Sequence, residues 1–283
     1  MMLRPFLALL LAQAVGAQAP AFEVASIKLS PTLAGICRGG PGSTSPGQWN
    51  CTSSLRLLVS MAWGVASYQL FAPPALDQEF FNIVAKVPPN TGKPEFYLMI
   101  QKLLTERLGV VVHRETRQQT VYDLTVAKGG PKLKEAEAAP AGGPALDANG
   151  FPVNFVRDAQ GNAQLPPGRA GVFDTWNGPN YRIAARLHGT ARIANLLEAQ
   201  VSHHVIDKTG LTGKYDYVLE FLPGPGSAAA LQRPPAVSAG EASMPGLSIF
   251  EAVVQQLGLK LTSRKGPVDV VVVDRFQNEP TEN

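Results

Sequence analysis

Two similar junctions, one in each half of the sequence, link the end of an amphipathic helix to a β-rich run. They are Glu106–Val110 and Gln255–Leu259, both with Leu-Gly at the helix end. The elements before each junction also recur in the same order, which is typical of an internal duplication. We therefore predict an α+β fold of two repeated β-α-β-α-β-β units, with mostly antiparallel sheets and helices on one face of each sheet.

In the first repeat, Phe22–Lys28 and Phe81–Lys86 have the composition of strands. A helix capped by Ser53 or Ser54 separates them, and a second helix starts near Pro94 and ends at Gly109. Two further β-rich runs are joined by a polar stretch, which predicts a hairpin: Val110–Glu115 and Thr120–Val126.

The second repeat follows the same plan. Its strands are Tyr181–Arg186 and Tyr215–Phe221, and its helices begin near Thr190 and at Ser248, where Glu251 completes a capping box. The turn residues Lys265-Gly266-Pro267 separate two β-rich runs and predict a closing hairpin, formed by Leu259–Arg264 and Val268–Asp274.

Composition divides the chain into four parts. Residues 1–19 read as a signal peptide, with Arg4 ahead of a short apolar stretch and small residues before the cut. Residues 20–128 and 180–283 hold the two repeats. Residues 129–179 are rich in Ala, Gly and Pro, so we predict a linker or loop there, and we predict a flexible insert of similar composition near residues 223–246.

The leader predicts an exported protein, in the periplasm or outside the cell. Its apolar stretch is shorter than the roughly 20 residues of a membrane-spanning helix, so we do not expect an integral membrane protein. The formal net charge of +3 does not favour a nucleic-acid partner.

The only two cysteines are Cys37 and Cys51, in a loop rich in Gly, Pro and Ser. An oxidising compartment favours a disulfide between them. A metal site is the alternative, although it requires further soft ligands and no histidine is near either cysteine in sequence.

The sequence has none of the hydrolase motifs Gly-x-Ser-x-Gly, Ser-x-x-Lys and His-Glu-x-x-His. Gly213-Lys214 also lacks the upstream Gly and the following Ser or Thr of a phosphate-binding loop. We therefore assign no catalytic, cofactor-binding or metal-binding residues and expect no cofactor. Five residues stay as weak candidates for a functional site: His113, Trp176, His203, His204 and Asp207.

Each candidate also has a structural interpretation. Asp207 in Asp207-Lys208-Thr209-Gly210 is typical of a turn that bonds nearby backbone N–H groups. His113 lies in a predicted strand, and the adjacent His203 and His204 suit the end of a helix better than a shared metal. Trp176 lies in a polar loop, where it either packs on its own domain or anchors a glycan or peptide.

Four segments carry a family resemblance: FEVASIK at 22–28, HRETRQQTVYDLTVAKGGPKL at 113–133, VIDKTGLTGKYDYVLEF at 205–221 and QLGLKLTSRKGPVDVVVVD at 256–274. In this order they resemble an exported domain-of-unknown-function family that is expanded in soil Acidobacteria. Related domains lie behind membrane metallopeptidases of the BlaR type. The resemblance implies no catalytic residues, and peptidase activity does not transfer.

A weaker likeness links the helix, the Leu-Gly boundary and the following β pair to the short amino-terminal domain of secretins and TonB-dependent receptors. That likeness implies an envelope partner. We therefore predict a non-enzymatic envelope module for binding or sensing, with an envelope protein, a peptide or a glycan as its partner. The alternative is a secreted hydrolase with a site outside known motifs, built from His113, Asp207 and either His203 or His204.

Overall fold

The structure is a computed structural model that describes residues 20–32, 35–136, 156–157, 163–164, 170–231 and 246–281. The predicted signal peptide lies outside the described residues, and so do most of the predicted loop 129–179 and insert 223–246. The described part is α+β, as predicted, with mostly antiparallel sheets.

In chain order, the described residues form fourteen strands and six α-helices. The strands are β1 (Val24–Leu29), β2 (Ile36–Gly39), β3 (Gln48–Ser54), β4 (Leu70–Phe71), β5 (Phe80–Lys86), β6 (Val111–Val126), β7 (Lys134–Glu135), β8 (Val156–Arg157), β9 (Ala163–Gln164), β10 (Gly171–Asn177), β11 (Asn180–His188), β12 (Val205–Asp207), β13 (Tyr215–Phe221) and β14 (Leu259–Arg275). The helices are α1 (Leu55–Trp63), α2 (Ala75–Gln78), α3 (Lys93–Leu108), α4 (Thr190–Val201), α5 (Ala228–Leu231) and α6 (Ile249–Leu257), with a 3₁₀ turn at Ser67–Gln69.

Three four-stranded sheets organise these elements. The first has the order β1-β5-β3-β2, and the second, written from its β7 edge, has the order β7-β13-β11-β10. The third has the order β12-β6-β14-β4, and strands β8 and β9 form a separate pair. The third sheet joins the two halves of the chain, because its central strands come from different halves.

Both predicted hairpins are wrong. Strand β6 runs without a turn through both predicted strands of the first hairpin, and β14 does the same through Lys265-Gly266-Pro267. The two long strands pair antiparallel with each other along their whole length, from Leu259 opposite Val126 to Arg275 opposite Val111. Each half therefore contributes one strand to a shared ribbon instead of closing its own hairpin.

The first two sheets each bury one face. In β5, Phe81, Ile83 and Ala85 are buried while Val84 is 51% exposed. In β13, the alternating Tyr217, Leu219 and Phe221 are buried in the same way. This period of two is the pattern of a sheet with a core on one side. Separate apolar clusters form under each sheet, one built around α1 and α3, the other around α4 and α6.

The predicted helix ends are confirmed. Ser248 and Glu251 form the capping box that opens α6, and Gly258 closes this helix with a left-handed φ of 65°. A Cβ on Gly258 would lie 2.2 Å from the Gly130 carbonyl oxygen, so only glycine fits this junction. Ser54 caps α1, and Gly109 ends α3.

Cys37 and Cys51 form a disulfide between directly opposed positions of β2 and β3. Four strands lie inside the predicted loop 129–179, namely β7, β8, β9 and β10, so this segment is not loop throughout. No helix among the described residues is both long and apolar enough to span a bilayer.

Candidate functional site

The outer edge of β1 carries backbone groups without a strand partner. Val87 N donates to Gly47 O at 3.0 Å and Ser30 N donates to Phe80 O at 2.8 Å. Hydrogen bonding alternates along antiparallel strands. The odd-numbered residues of β5 therefore bond to β3 and its even-numbered residues bond to β1.

The same alternation orients β1. Its residues 24, 26 and 28 direct their N–H and C=O groups to β5, so Ala25, Ile27 and Leu29 direct theirs outward. Among the described residues, β1 pairs with no strand other than β5. Ala25, Ile27 and Leu29 therefore present three N–H donors and three C=O acceptors along the outer edge of β1.

This edge faces a groove, which we call the β1 groove. It consists of two cavities, of about 310 Å³ beside Val24 and about 500 Å³ beside Leu29. The wall opposite β1 is formed by the second half of α3 and by the carboxyl-terminal segment. Its residues are Met99, Lys102, Leu103, Glu106, Arg107, Pro280 and Thr281.

The carboxyl-terminal segment is held against the end of α3. Thr281 N donates to Arg107 O at 2.9 Å, and the Thr281 hydroxyl donates to Glu106 O at 3.2 Å. Arg107 Nη1 in turn donates to Thr281 O at 3.3 Å. These bonds satisfy carbonyl groups that a helix end leaves free, and they give the groove a positioned wall.

The charged groups of the β1 groove are unevenly distributed. Glu23 and Glu106 line the cavity beside Val24, where Glu23 pairs with Lys86 at 2.6 Å and Glu106 with Lys102 at 3.9 Å. Among the described residues, the cavity beside Leu29 is lined by the charged side chains Lys28 and Arg107 and by no carboxylate side chain.

In the second sheet, the edge of β13 corresponds to the edge of β5 that β1 covers in the first sheet, and it is covered by two parts of the chain. Strand β7 pairs with Tyr215 and Asp216 of β13. Further along β13, the side-chain amide of Gln256 bonds to both backbone groups of Glu220, at 2.8 and 2.7 Å. Strand β7 and the Gln256 side chain thus cover the edge of β13, as β1 covers the edge of β5.

The five candidates from the sequence lie elsewhere. His113 Nδ1 contacts the Asp274 carboxylate at 2.9 Å on the exposed side of the β6–β14 ribbon. His203 packs edge-on against Tyr122 and its Nδ1 lies 2.6 Å from Val201 O. No hydrogen bond within the described ranges joins His113, Asp207, His203 or His204 to one another.

His204 belongs to a cluster that joins the two halves. Its Nδ1 bonds to Glu198 Oε1, which also accepts from Val205 N at 3.0 Å and from the Tyr68 hydroxyl at 3.3 Å. Burial, followed by the negative charge of Glu198, raises the pKa of Tyr68 well above its usual value of 10.0. The cluster fixes the end of α4 against the 3₁₀ turn of the first half.

Asp207 has the geometry of a turn. Its Oδ1 accepts from Thr209 N at 3.0 Å and from the Thr209 hydroxyl at 2.7 Å. Burial raises the pKa of Asp207, but hydrogen bonds from Thr190 and Thr209 outweigh burial and lower the pKa below its usual value. The carboxylate is thus engaged in local backbone structure.

Trp176 lies in strand β10 and not in a polar loop, which corrects its predicted setting. Its ring packs edge-on against Tyr181 with the centroids 5.2 Å apart. The Tyr181 hydroxyl donates to Asp174, so the aromatic pair forms part of the second core. In the described ranges no group of three or more His, Cys, Asp and Glu side chains could hold a metal ion.

A family model described as a protein of unknown function, DUF3738, matches residues 56–276, which is most of the chain. This chain belongs to the DUF3738 family. No curated protein and no solved structure matches it. An unknown-function family is what the resemblance predicted, while its spread in Acidobacteria and its link to BlaR-type peptidases stay predictions. The DUF3738 match includes the α3 wall of the β1 groove and begins after β1.

Proposed function

We propose that this protein is an exported, non-enzymatic binding module of the cell envelope that binds an extended polypeptide segment along the edge of β1. It acts in the periplasm or outside the cell. The observation that carries the proposal is the row of outward backbone groups at Ala25, Ile27 and Leu29, which face a walled groove.

Addition of a strand to an exposed edge is a general mode of peptide recognition. Main-chain hydrogen bonds supply affinity, and alternate side chains of the added strand supply specificity. In the β1 groove, one set of partner side chains would face Met99 and Leu103 of α3, next to the core. An unprotected edge strand otherwise risks aggregation, so a dedicated partner also accounts for this exposure.

Export is supported by the leader at residues 1–19 and by the Cys37–Cys51 disulfide, since structural disulfides persist in oxidising compartments. The corresponding strand orders of the first two sheets support a duplicated unit.

The experiment uses the chain from residue 20 onward and a library of random peptides displayed with free carboxyl termini. Peptides selected on this chain are then titrated against Ala25→Pro and Ile27→Pro. Proline at either position removes an outward N–H and leaves the bonds to β5 intact. We expect each variant to lose at least about tenfold in affinity while retaining its circular dichroism spectrum.

Val172→Pro is the matched control, because Val172 lies in edge strand β10 of the second sheet. Asn177 pairs with Asn180 on either side of a two-residue turn, so the odd-numbered residues of β10 form the hydrogen bonds to β11. The N–H of Val172, an even-numbered residue, therefore points to the outer side of β10. This variant should bind selected peptides as the parent does. Peptides that bind all three variants equally, or a library that yields no binder, would exclude the β1 edge as the site.

A further inference from the structure

We propose that the segment bound in the β1 groove is the carboxyl-terminal end of its protein, with its free α-carboxylate in the cavity beside Leu29. This inference rests on the proposed function and specifies its partner. Two observations carry it: the groove is bounded at this end, and its charge there is positive.

Pro280 and Thr281 line the cavity beside Leu29, together with Arg107 of α3. Four hydrogen bonds between Thr281 and the end of α3 hold this segment at the cavity beside Leu29. We infer that a strand added beside β1 and running toward Leu29 ends against this segment. A chain end suits such a position better than a segment that continues in both directions.

The charged residues of this cavity favour a carboxyl terminus over an amino terminus. Lys28 and Arg107 line the cavity beside Leu29, and neither forms an ion pair with any residue in the described part of the chain. Guanidinium and ammonium groups bind carboxylates through charge-assisted hydrogen bonds. An α-ammonium group would be repelled there, and would instead be attracted to the other cavity with Glu23 and Glu106.

The position of the carboxylate sets the direction of the bound strand. Strand β1 runs from Val24 to Leu29, so a partner whose carboxyl end lies beside Leu29 is parallel to β1. The first sheet is antiparallel between its own strands, and the bound segment would make it mixed.

The test uses synthetic peptides from the library selection, each made with a free carboxyl terminus and as the carboxyl-terminal amide. Affinities are measured by fluorescence anisotropy on the chain from residue 20 onward. We expect the free acid to bind about tenfold more tightly than the amide, the order expected of one charge-assisted contact. Lys28→Gln and Arg107→Gln should each reduce this ratio.

Lys260→Gln is the control, because Lys260 is exposed on β14 and lines neither cavity of the β1 groove. It should leave the acid-to-amide ratio unchanged. Among the described residues no hydrogen bond joins Lys28 to Thr281, whereas Arg107 bonds to Thr281 O, so the Lys28→Gln variant separates the effect of charge from that of a displaced wall. Equal affinities for acid and amide, with binding still lost in Ile27→Pro, would overturn this inference and retain the proposed function. Absence of any peptide binding would overturn both.

Discussion

Pro267 lies directly opposite Gln118, near the middle of the two longest strands. Ala127 N donates to Gly258 O at 2.9 Å, which places the odd-numbered residues of β6 in hydrogen-bonded pairs with β14. Gln118 and Pro267 are therefore a non-hydrogen-bonded pair. The missing N–H of Pro267 would have faced away from β6, so proline fits inside this strand without removing a bond from the ladder.

This register predicts opposite tolerances for proline at adjacent positions of β6. Gln118→Pro removes an N–H that points away from β14, and it should cost less than about 1 kcal/mol of unfolding free energy. Gln119→Pro removes a ladder bond opposite Gly266 and should cost about 3 kcal/mol or more. Urea denaturation of both variants measures the difference. Equal costs would instead support a turn at this point.

The two hairpins were mispredicted for a physical reason. A hairpin and one long strand can have the same sequence pattern: two β-rich runs separated by a short polar or Gly-Pro stretch. The structure resolves them through pairing between distant residues, Lys265 with Thr120 for example, which no local pattern contains. The helices were predictable because Ser248, Gly109 and Gly258 act locally on their own helix ends.

The candidate site was less predictable than the elements. The strand Phe22–Lys28 was expected, yet its place at a sheet edge depends on which strands pair with it. Ala25 and Ile27 carry no reactive group, and their contribution is made by the backbone. The sequence instead drew attention to residues with reactive side chains. Of these, Asp207 bonds to Thr209 and His204 to Glu198, so both belong to local structure.

The disulfide should stabilise the β2 edge of the first sheet. Cys37 and Cys51 enclose a separation of 14 residues, and a loop of this size is worth about 3 kcal/mol in the chain-entropy description. The double variant Cys37→Ala, Cys51→Ala should lose about that much unfolding free energy, measured by urea denaturation. Adding a reductant should lower the parent's stability by a similar amount and leave the double variant unchanged. An insensitive parent would contradict this role.

The Tyr68–Glu198 contact predicts a loss of stability at alkaline pH. Burial and Glu198 raise the pKa of Tyr68 in the folded chain, whereas the unfolded chain titrates near 10.0. Above that pH the unfolded state releases a proton that the folded state keeps. The unfolding free energy therefore falls by about 1.4 kcal/mol per pH unit for each such phenol.

Tyr68→Phe should remove one such contribution from the slope above pH 10, as measured by denaturation at a series of pH values. Between pH 6 and pH 8, where phenols do not titrate, parent and variant should have parallel profiles. The variant should also be somewhat less stable throughout, because Glu198 loses a donor. An unchanged alkaline slope would show that Tyr68 is not held in its neutral form by the fold.

Asp207 offers a test between a turn and a functional site. Asp207→Asn keeps an oxygen that can accept from Thr209, whereas Asp207→Ala removes it and should cost about 1 kcal/mol. The lowered pKa of Asp207 adds stability that is complete above the unfolded value of 3.8 and is lost as pH falls through the folded value. Asp207→Asn should therefore have a flatter acid profile than the parent. Both variants should bind peptides in the β1 groove unchanged, and a variant that folds normally but fails to bind would assign Asp207 to the site.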